Sequence, residues 1–217
     1  KYGPQTVAGA INMFSAPIPE VTGTVGGKLD LLGGEFDTFR GHGLVGGYIN
    51  TGHAYDIGLS LETLQESSSG FKELDSGGDT GFKIQDYVAK LALRPSGDAA
   101  QSLELKLQYS DEESDETYTG LTLDDFHANP LRRYRGSQVD EMNVEHWTYQ
   151  ATHRVDFTDQ LDLTTIAYHT QTERAWYKLN DVRNAANTGF TSLSAILENP
   201  ATYATEFAAI VGERGTS

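Results

Sequence analysis

The sequence predicts an all-β chain whose strands form part of an antiparallel transmembrane β-barrel, with short helices in its outer loops. Residues 102–109 alternate apolar and polar side chains, which is the two-residue period of a strand with one oily and one wet face. About seven segments repeat this pattern. After the first hairpin the connections are alternately short and long, and the long ones cover 65–81 and 110–141. Outer-membrane barrels sort their connections in this way, with short periplasmic turns and long extracellular loops.

The predicted strands follow one another from residue 21 to residue 177. Segments rich in glycine, proline and asparagine, such as 50–52 and 95–98, supply tight turns between them. The seventh strand alternates less regularly because Ile166 and Tyr168 break its parity, which predicts a β-bulge. The approximate bounds of the seven strands are 21–32, 38–50, 55–63, 82–93, 102–109, 144–157 and 161–177.

The composition excludes several classes of protein. The chain has 217 residues, no cysteine and a formal net charge of -15. Without cysteine, neither a disulfide framework nor a thiolate metal site is predicted, and the negative charge repels the phosphates of nucleic acid. No run of about 18 apolar residues encodes a transmembrane helix. No signal peptide is recognised, and the first residues are typical of the middle of a domain, so we expect a fragment of a longer protein.

The acidic run 111–116 lies in the second predicted long loop, where a solvated segment is expected. The alternative is a cation site, or a Ca²⁺ bridge to lipopolysaccharide. Aromatic residues near the strand ends fit interfacial girdles between lipid and water, although an ordinary core with tyrosines at its edge gives the same pattern. These aromatic residues are Tyr48, Tyr55, Tyr109, Trp147, Phe157, Trp176 and Tyr177.

Near the end of the chain the pattern changes from strand to helix. Asn199 and Pro200 predict an N-cap followed by proline in the first helical turn. The apolar residues that follow have helical spacing, which predicts a short amphipathic helix over 200–212. We expect it to pack on an outer loop of the barrel, and the alternative is a helix of a separate soluble domain.

Residues 2–13, Tyr-Gly-Pro-Gln-Thr-Val-Ala-Gly-Ala-Ile-Asn-Met, resemble the end of the plug in TonB-dependent outer-membrane receptors. Ala10 stands where that family usually has the second glycine of a small-residue pair. Gly3 and Gly9 allow backbone conformations and close approaches that larger residues forbid. The resemblance implies that residues 1–19 are the end of the plug. It also implies that residues 20–217 are the N-terminal part of a plugged barrel of roughly 22 strands.

Two further segments resemble the ferric-citrate branch of this family. Residues 118–130 are similar to its third extracellular loop, which has a Gly-Gly-Leu-Thr-like turn, a short helix and then arginines, although Thr119 replaces the first glycine. Residues 173–177, Glu-Arg-Ala-Trp-Tyr, and the loop 193–214 also resemble this branch. The resemblance implies import of a ferric siderophore of the citrate type across the bacterial outer membrane. Its implied partners are outer-membrane lipid, lipopolysaccharide and the TonB–ExbB–ExbD complex, which would act through a segment that this chain lacks.

An anionic ferric chelate requires cationic and hydrogen-bonding groups, and arginine suits carboxylates best. The predicted ligand-binding residues are Arg132, Arg133, Arg135 and Gln138, of which only Arg135 aligns with a family arginine. The alternative is that these arginines neutralise the acidic residues nearby, which are Asp124, Asp125, Asp140 and Glu141. The cargo is the iron chelate itself, and no resident cofactor is implied.

A second set of polar residues is predicted to face the barrel lumen and to hydrogen-bond the plug. The six histidines have no metal-ligand spacing, so no metal site is predicted. No Gly-x-Ser-x-Gly elbow is present, and helix capping explains Asp124 and Asp125 better than catalysis does, so no enzyme is predicted. The lumen residues are Arg40, His42, His146, Gln150 and Arg154.

Three other functions remain open at this point. The first is a receptor of the same fold with another cargo, such as a carbohydrate or a different siderophore. The second is a soluble all-β adhesion or carbohydrate-binding module, in which Leu103, Leu105 and Leu107 would pack in a core. The third is an outer-membrane barrel enzyme, which needs a convergent acid–base group that the sequence does not display.

Overall fold

A computed structural model of the protein describes residues 15–95, 100–115 and 118–213. The plug-like motif at 2–13 and most of the predicted turn 95–98 lie outside the described residues. Within them the strands are β1 Gly26–Gly33, β2 Phe39–Ile49, β3 Tyr55–Ser68, β4 Glu73–Leu74, β5 Phe82–Pro95, β6 Gln101–Asp115, β7 Arg132–Arg133, β8 Glu141–Thr158, β9 Leu161–Tyr177, β10 Asp181–Arg183 and β11 Phe190–Ser192. The helices are α1 Leu123–Ala128, α2 Leu193–Glu198, α3 Ala204–Val211 and a 3-10 turn at Arg135–Ser137.

Seven long strands form one antiparallel sheet in the order β1-β2-β3-β5-β6-β8-β9. The predicted antiparallel, mostly β architecture is therefore confirmed. β9 has the predicted bounds, but β6 continues through the acidic run to Asp115, where a loop was expected. That prediction was wrong because the ladder continues on both sides: Asp111 pairs with Gln85 of β5 and with Glu145 of β8. Pairing on two edges outweighs the low strand propensity of acidic residues.

The register of the sheet separates its side chains into two faces. On the apolar face, Leu61 is 63% exposed and Leu107 is 41% exposed. On the opposite, polar face, Lys90 and Lys106 are cross-strand partners. Two neighbouring rows define the apolar face, namely Val45–Leu61–Ala89–Leu107–Tyr149 and Leu59–Leu91–Leu105–Ala151. The row Gly46–Ser60–Lys90–Lys106–Gln150 defines the polar face.

The segment 15–22 crosses the polar face and buries part of it. Ile18 is 2% exposed and packs with Tyr48 and Ala92. The Lys90 ammonium donates a 2.7 Å hydrogen bond to the carbonyl of Ala16, and Arg94 pairs with Glu20 at 2.5 Å. The chain that precedes β1 is thus fixed to the polar side of the sheet.

The long connections share one end of the sheet, which we call the long-loop end. Segments 69–81, 118–140 and 178–213 lie there, because β3, β6 and β9 all finish at that end. The turns β2–β3 and β8–β9, the end of β5 and the start of β6 lie at the opposite, short-turn end. The predicted alternation of short and long connections is confirmed. The β1–β2 turn also lies at the long-loop end, where the Ser69 amide donates to the Phe36 carbonyl.

Two local predictions need correction. The register irregularity lies between Asp156 and Thr158 of β8, whereas β9 keeps a regular register from Asp162 to Tyr177. Ile166 and Tyr168 break the parity because they lie on the polar face, opposite Thr152 and Gln150.

The predicted helix 200–212 is shorter than expected and has a different N-cap. Asn199 is the C-cap of α2, and its carbonyl accepts hydrogen bonds from the amides of Thr202 and Tyr203. This turn delays the start of α3 until residue 204, and Gly212 ends the helix in the left-handed conformation at φ 81°. No helix in the described ranges is sufficiently long and apolar to cross a membrane.

Gly58 provides a test of how the segment 15–22 is held. A Cβ atom at Gly58 would lie 2.6 Å from Tyr48 Cε1 and 3.1 Å from Ile18 Cδ1. We expect Gly58→Ala to cost about 1–3 kcal/mol of unfolding free energy in the full-length protein, because neither side chain can move freely. It should also accelerate hydrogen exchange of the Tyr48 amide, which donates to the Val21 carbonyl.

The matched control is Gly43→Ala on the apolar face of β2. Its Cβ would meet only Thr63 Cγ2, at 3.7 Å, which is an ordinary contact. This variant should be neutral or slightly stabilising, since alanine loses less backbone entropy than glycine in a strand. Equal effects of the two substitutions would contradict the docking of Ile18 on Tyr48.

Candidate ligand-binding loops

The loops at the long-loop end fold together into one unit, which we call the loop cluster. Its core consists of Tyr134, Ile196 and Ile210, each no more than 1% exposed. β4 and β7 pair in parallel and connect the 69–81 loop to the 118–140 loop. The partly buried residues around this core are Leu121, Leu179, Val182, Leu193, Leu197, Tyr203, Phe207 and Val211.

Arg132 ties two of these loops together through carboxylates. Its Nε and Nη2 atoms lie 2.9 and 3.0 Å from the two carboxylate oxygens of Asp75, and Nη1 lies 2.8 Å from Asp125 Oδ1. This forked geometry is the strong form of the arginine–carboxylate pair. The guanidinium is thus engaged as the neutralisation alternative expects, and a ligand would have to displace Asp75 or Asp125 to bind it.

Arg133 lies inside the loop cluster and is 1% exposed. Its guanidinium donates to Ser137 Oγ at 3.1 Å and to the carbonyls of Ser137, Asp115 and Asp140. These bonds hold the 3-10 turn against the ends of β6 and β8. A ligand reaches Arg133 only if the loop opens, so in this conformation the residue shapes the loop.

α1 is capped by Thr122, not by the aspartates to which the sequence assigned that role. The Thr122 hydroxyl accepts from the Asp125 amide at 3.2 Å, while Asp124 and Asp125 occupy the first turn. Tyr134 donates its hydroxyl to Asp125 Oδ2 at 2.5 Å. Partial burial raises the pKa of Asp125, but hydrogen bonds from Tyr134, Thr122 and Arg132 outweigh it and hold that pKa below its ordinary value. Asp125 therefore joins α1, Tyr134 and Arg132.

Arg135 and Gln138 are the two predicted ligand residues that lie exposed on the loop cluster. Gln138 Oε1 accepts a 3.1 Å hydrogen bond from the Ser76 hydroxyl. The aliphatic part of Arg135 covers Gly212, where an added Cβ would lie 2.5 Å from Arg135 Cδ. Among residues 15–95, 100–115 and 118–213, no carboxylate forms an ion pair with Arg135. Of the predicted arginines, Arg135 best keeps its charge available.

Asp140 is fully buried where the loop cluster meets β8. Its Oδ1 atom accepts the Leu179 amide at 2.9 Å, whereas Oδ2 and the nearby Thr119 Oγ1 have no hydrogen-bond partner. Burial raises the pKa of Asp140, although the Leu179 amide, Arg133 and Lys178 each lower it in part. Burial of a carboxyl group with one oxygen lacking a hydrogen-bond partner thus favours the neutral acid.

The five predicted lumen residues all lie on the polar face of the sheet, and contact with a plug stays a prediction. His42 Nε2 lies 2.9 Å from Glu62 Oε1, and Arg154 pairs with Asp156 at 2.9 Å. The cross-strand partners of the five are Glu66 for Arg40, Leu64 for His42, Thr172 for His146, Tyr168 for Gln150 and Thr164 for Arg154.

The apolar face ends in an aromatic row and then in an acidic row. Tyr87, Tyr109 and Trp147 are cross-strand neighbours, and their ring centroids are 6.4 and 4.5 Å apart. The acidic row lies two positions along the strands from the aromatic row, toward the long-loop end. There Glu145 lies between its cross-strand neighbours Asp111 and Glu173. The Trp147 indole donates to Glu145 at 2.9 Å, so its polar edge points toward the acidic row. Sequence reasoning did not place Tyr87 in this row, because only the register reveals it.

Two aromatic residues assigned to the girdle lie on the other face. Tyr48 is 8% exposed beneath Ile18, and the Arg94 guanidinium stacks 3.6 Å from its ring centroid. Trp176 pairs with Met142 on the polar face. In the part of the chain that the structure describes, no three histidine or acidic side chains are grouped to hold a metal. The Ca²⁺ alternative for the acidic run stays a prediction.

Comparison with known proteins finds no matching family model and no matching curated protein. The resemblance to TonB-dependent receptors therefore rests on the residues quoted above, and the functional assignment is a proposal.

The tie made by Arg132 predicts the behaviour of the parallel β4–β7 pair. We expect Arg132→Gln to remove the ion pairs of Asp75 and Asp125 and to accelerate hydrogen exchange of the Glu73 and Asp75 amides by about tenfold. Arg135→Gln is the matched control, and it should leave those rates within twofold. Equal rates in the two variants would show that Arg132 does not hold the loops together.

The burial of Asp140 predicts that a neutral substitute increases the free energy of unfolding, by an amount that depends on pH. The folded state raises the pKa of this carboxyl, so the stability that the neutral acid contributes is complete below the ordinary aspartate pKa and lost as the pH rises through the raised value. Asp140→Asn keeps an acceptor for Leu179 and can donate to Thr119, so we expect a gain on the order of 1 kcal/mol above that pH. The gain is measured by comparing hydrogen exchange of the Leu179 amide in the wild type and in Asp140→Asn from about pH 4 to about pH 8. A difference between the two proteins that does not change with pH would contradict this account.

Proposed function

We propose that this chain is the N-terminal part of the barrel, with the end of the plug, of a TonB-dependent outer-membrane receptor. The seven-stranded sheet would be one section of a wall of roughly 22 strands. Its outermost strands, β1 and β9, each have one edge that pairs with no described residue. Closure of a barrel through further strands would satisfy those edges, which lipid cannot do.

The sequence of side chains along the apolar face carries this proposal. On β6, Leu103, Leu105 and Leu107 are followed by Tyr109 and then by Asp111. A tilted strand needs about nine to eleven residues to cross a bilayer, which matches the stretch from Gln101 to Tyr109. The order from leucine through aromatic ring to carboxylate is the order of hydrocarbon, interface and water.

The position of segment 15–22 supports the assignment of the polar face to the lumen. A plug that fills the barrel must contact inward-facing side chains, and Ile18 contacts Tyr48 and Ala92 on the polar face. The lysine that caps the Ala16 carbonyl, Lys90, is 7% exposed. Burial of this charge beside the peptide is consistent with an interior that is polar and filled by protein.

The long loops would then face the outside of the cell and receive the cargo. Arg135 and Gln138 offer a cation and an amide on the exposed side of the loop cluster, which suits the carboxylates of a ferric citrate-type chelate. Binding would be followed by loop closure, and the energised TonB–ExbB–ExbD complex would remodel the plug. Transport requires no covalent change in the cargo, so we propose a receptor and transporter and not an enzyme.

A soluble all-β binding module is the second candidate, and one observation favours it. The apolar face contains a depression of about 1220 Å³ lined by residues that include Val45, Leu61, Leu105 and Tyr149. A second β-layer or a ligand could fill such a space. Twist alone also produces it, because a twisted sheet takes the hyperboloid shape of a barrel wall, which is concave along one direction on either face.

Spin labels on β6 distinguish the two candidates. The chain has no cysteine, so within it a label attaches only where a cysteine is introduced. In the full-length protein in bilayers, labels at Leu103, Leu105 and Leu107 should be accessible to oxygen and protected from a water-soluble nickel chelate. Labels at Glu104 and Lys106 should show the opposite preference or be shielded by the plug. Leucine sites as accessible to water as Glu104 and Lys106 would reject the membrane assignment, and protection from both reagents would indicate a second β-layer.

A further inference from the structure

Two cations at the end of β9 are held by aromatic rings. Arg174 and Trp176 lie on the polar face of the sheet, opposite Val144 and Met142. The Arg174 Cζ atom is 5.1 Å from the Trp176 ring centroid, and Lys178 Nζ is 5.4 Å from it. The Trp176 ring also contacts a second aromatic ring, because Tyr118 packs edge-on against it with the centroids 4.9 Å apart.

Tyr118 completes the group from the neighbouring loop. Lys178 Nζ lies 5.3 Å from the centroid of the Tyr118 ring, so the ammonium contacts two aromatic faces. The loop that follows β6 and the end of β9 thus meet at Trp176. The whole group lies at the long-loop end, on the side of the sheet that the proposed function assigns to the lumen.

Several cations of the polar face are paired with carboxylates, such as Arg94 and Arg154, at 2.5 and 2.9 Å. Within the described ranges of the chain, neither Arg174 nor Lys178 forms an ion pair. Lys106 on the same face forms none there either, but Arg174 and Lys178 differ from it because they share the Trp176 ring.

An aromatic partner positions a cation without neutralising it. The face of an indole ring attracts a guanidinium or an ammonium through its quadrupole, but it carries no net charge. A carboxylate would hold the same cation and cancel its field. Arg174 and Lys178 are therefore fixed on one ring with their charge and their N–H donors available.

The surroundings leave room for a ligand beside Lys178. A depression of about 390 Å³ is lined by residues 136, 139–140 and 177–181 and by Phe190. Two carboxylates, Asp140 and Asp181, also line this depression. Asp140 is buried and interacts with Lys178, and Glu112 shares the polar face two strands from Arg174. None of the three forms an ion pair with Arg174 or Lys178 among the described residues.

We propose that Tyr118, Arg174, Trp176 and Lys178 form an anion subsite that binds carboxylate groups of the iron chelate. The inference rests on the proposed function and assigns to its binding site residues that the sequence analysis did not predict to bind the ligand. The guanidinium can bind one carboxylate through two N–H groups, and the ammonium can bind a second as a point charge. Each cation lies over a ring while its side chain stays exposed, so its donors can be reached by a ligand.

The test measures binding of ferric citrate, and of a neutral ferric hydroxamate, to the full-length receptor in detergent. The double variant Arg174→Gln/Lys178→Gln should raise the dissociation constant for ferric citrate by about 10- to 100-fold, because it removes charge-assisted hydrogen bonds. Arg174→Lys should recover part of this loss. Trp176→Phe should bind nearly as well as the wild type, while Trp176→Leu should lose about tenfold because its cations are no longer held.

The matched control is Lys72→Gln/Arg183→Gln, which removes the same two residue types. Lys72 and Arg183 also lie in the long loops and over aromatic rings, Phe71 and Phe190, so the control changes the net charge equally. Its dissociation constant should stay within about twofold of the wild type. Heat-dependent migration in gels verifies that every variant forms a folded barrel.

Each result decides the inference. Ferric citrate bound equally well by the double variant and the control overturns the subsite and leaves the proposed receptor intact. A wild type that binds the neutral chelate but not ferric citrate also overturns the subsite, while a siderophore receptor remains. A wild type that binds no iron chelate, with water-accessible spin labels on β6, overturns both.

Discussion

Continuous backbone pairing across seven strands is the constraint on which the other features depend. The register fixes, for each residue, the face on which its side chain lies, so that Glu173 and Arg174 point to opposite sides although they are neighbours. A slip by one residue would move the leucines of β6 to the polar face and Glu104 and Lys106 to the apolar face. The apolar face, the docking of Ile18 and the aromatic row all require this one alignment, and the ladder maintains it even through the acidic end of β6.

The loops at the long-loop end are ordered by polar ties as much as by their small core. Arg132 joins Asp75 and Asp125, which are 57 and 7 residues away along the chain, and Arg133 fills its hydrogen bonds with loop carbonyls. These ties constrain the 3-10 turn that presents Arg135. Charged pairs of this kind give defined geometry more than net stability, because desolvation offsets much of the attraction. In the proposed receptor, a loop that binds the cargo and then moves would gain from that balance, since polar ties can be exchanged for contacts with a ligand.

The strands could be predicted because their period is local, and the bounds of β9 follow from alternation and the turn at its start. The end of β6 could not, because nothing local in 111–115 favours a strand, and its pairing comes from β5 and β8. The same reason applies to Asn199. Asparagine occurs at both ends of helices, and Asn199 is a C-cap because α2 begins after the N-cap Ser192 and ends at Glu198. At the candidate site, the arginine run was visible in sequence. The partners of Arg132 and the rings beside Arg174 depend on contacts between distant segments, which alternation does not encode.

The charges at the long-loop end are sorted across the sheet. On the apolar face, Asp111, Glu145 and Glu173 stand side by side, an arrangement that costs free energy between neighbouring strands. The row at the same level on the polar face contains both signs, because Arg40 and Arg174 share it with Glu66 and Glu112. An anion that approaches this end of the sheet is therefore repelled more strongly from the apolar side, because exposed charges act over about a Debye length of 8–10 Å. In the proposed receptor, the alternation that would separate lipid from lumen would also turn an anionic cargo toward the lumen.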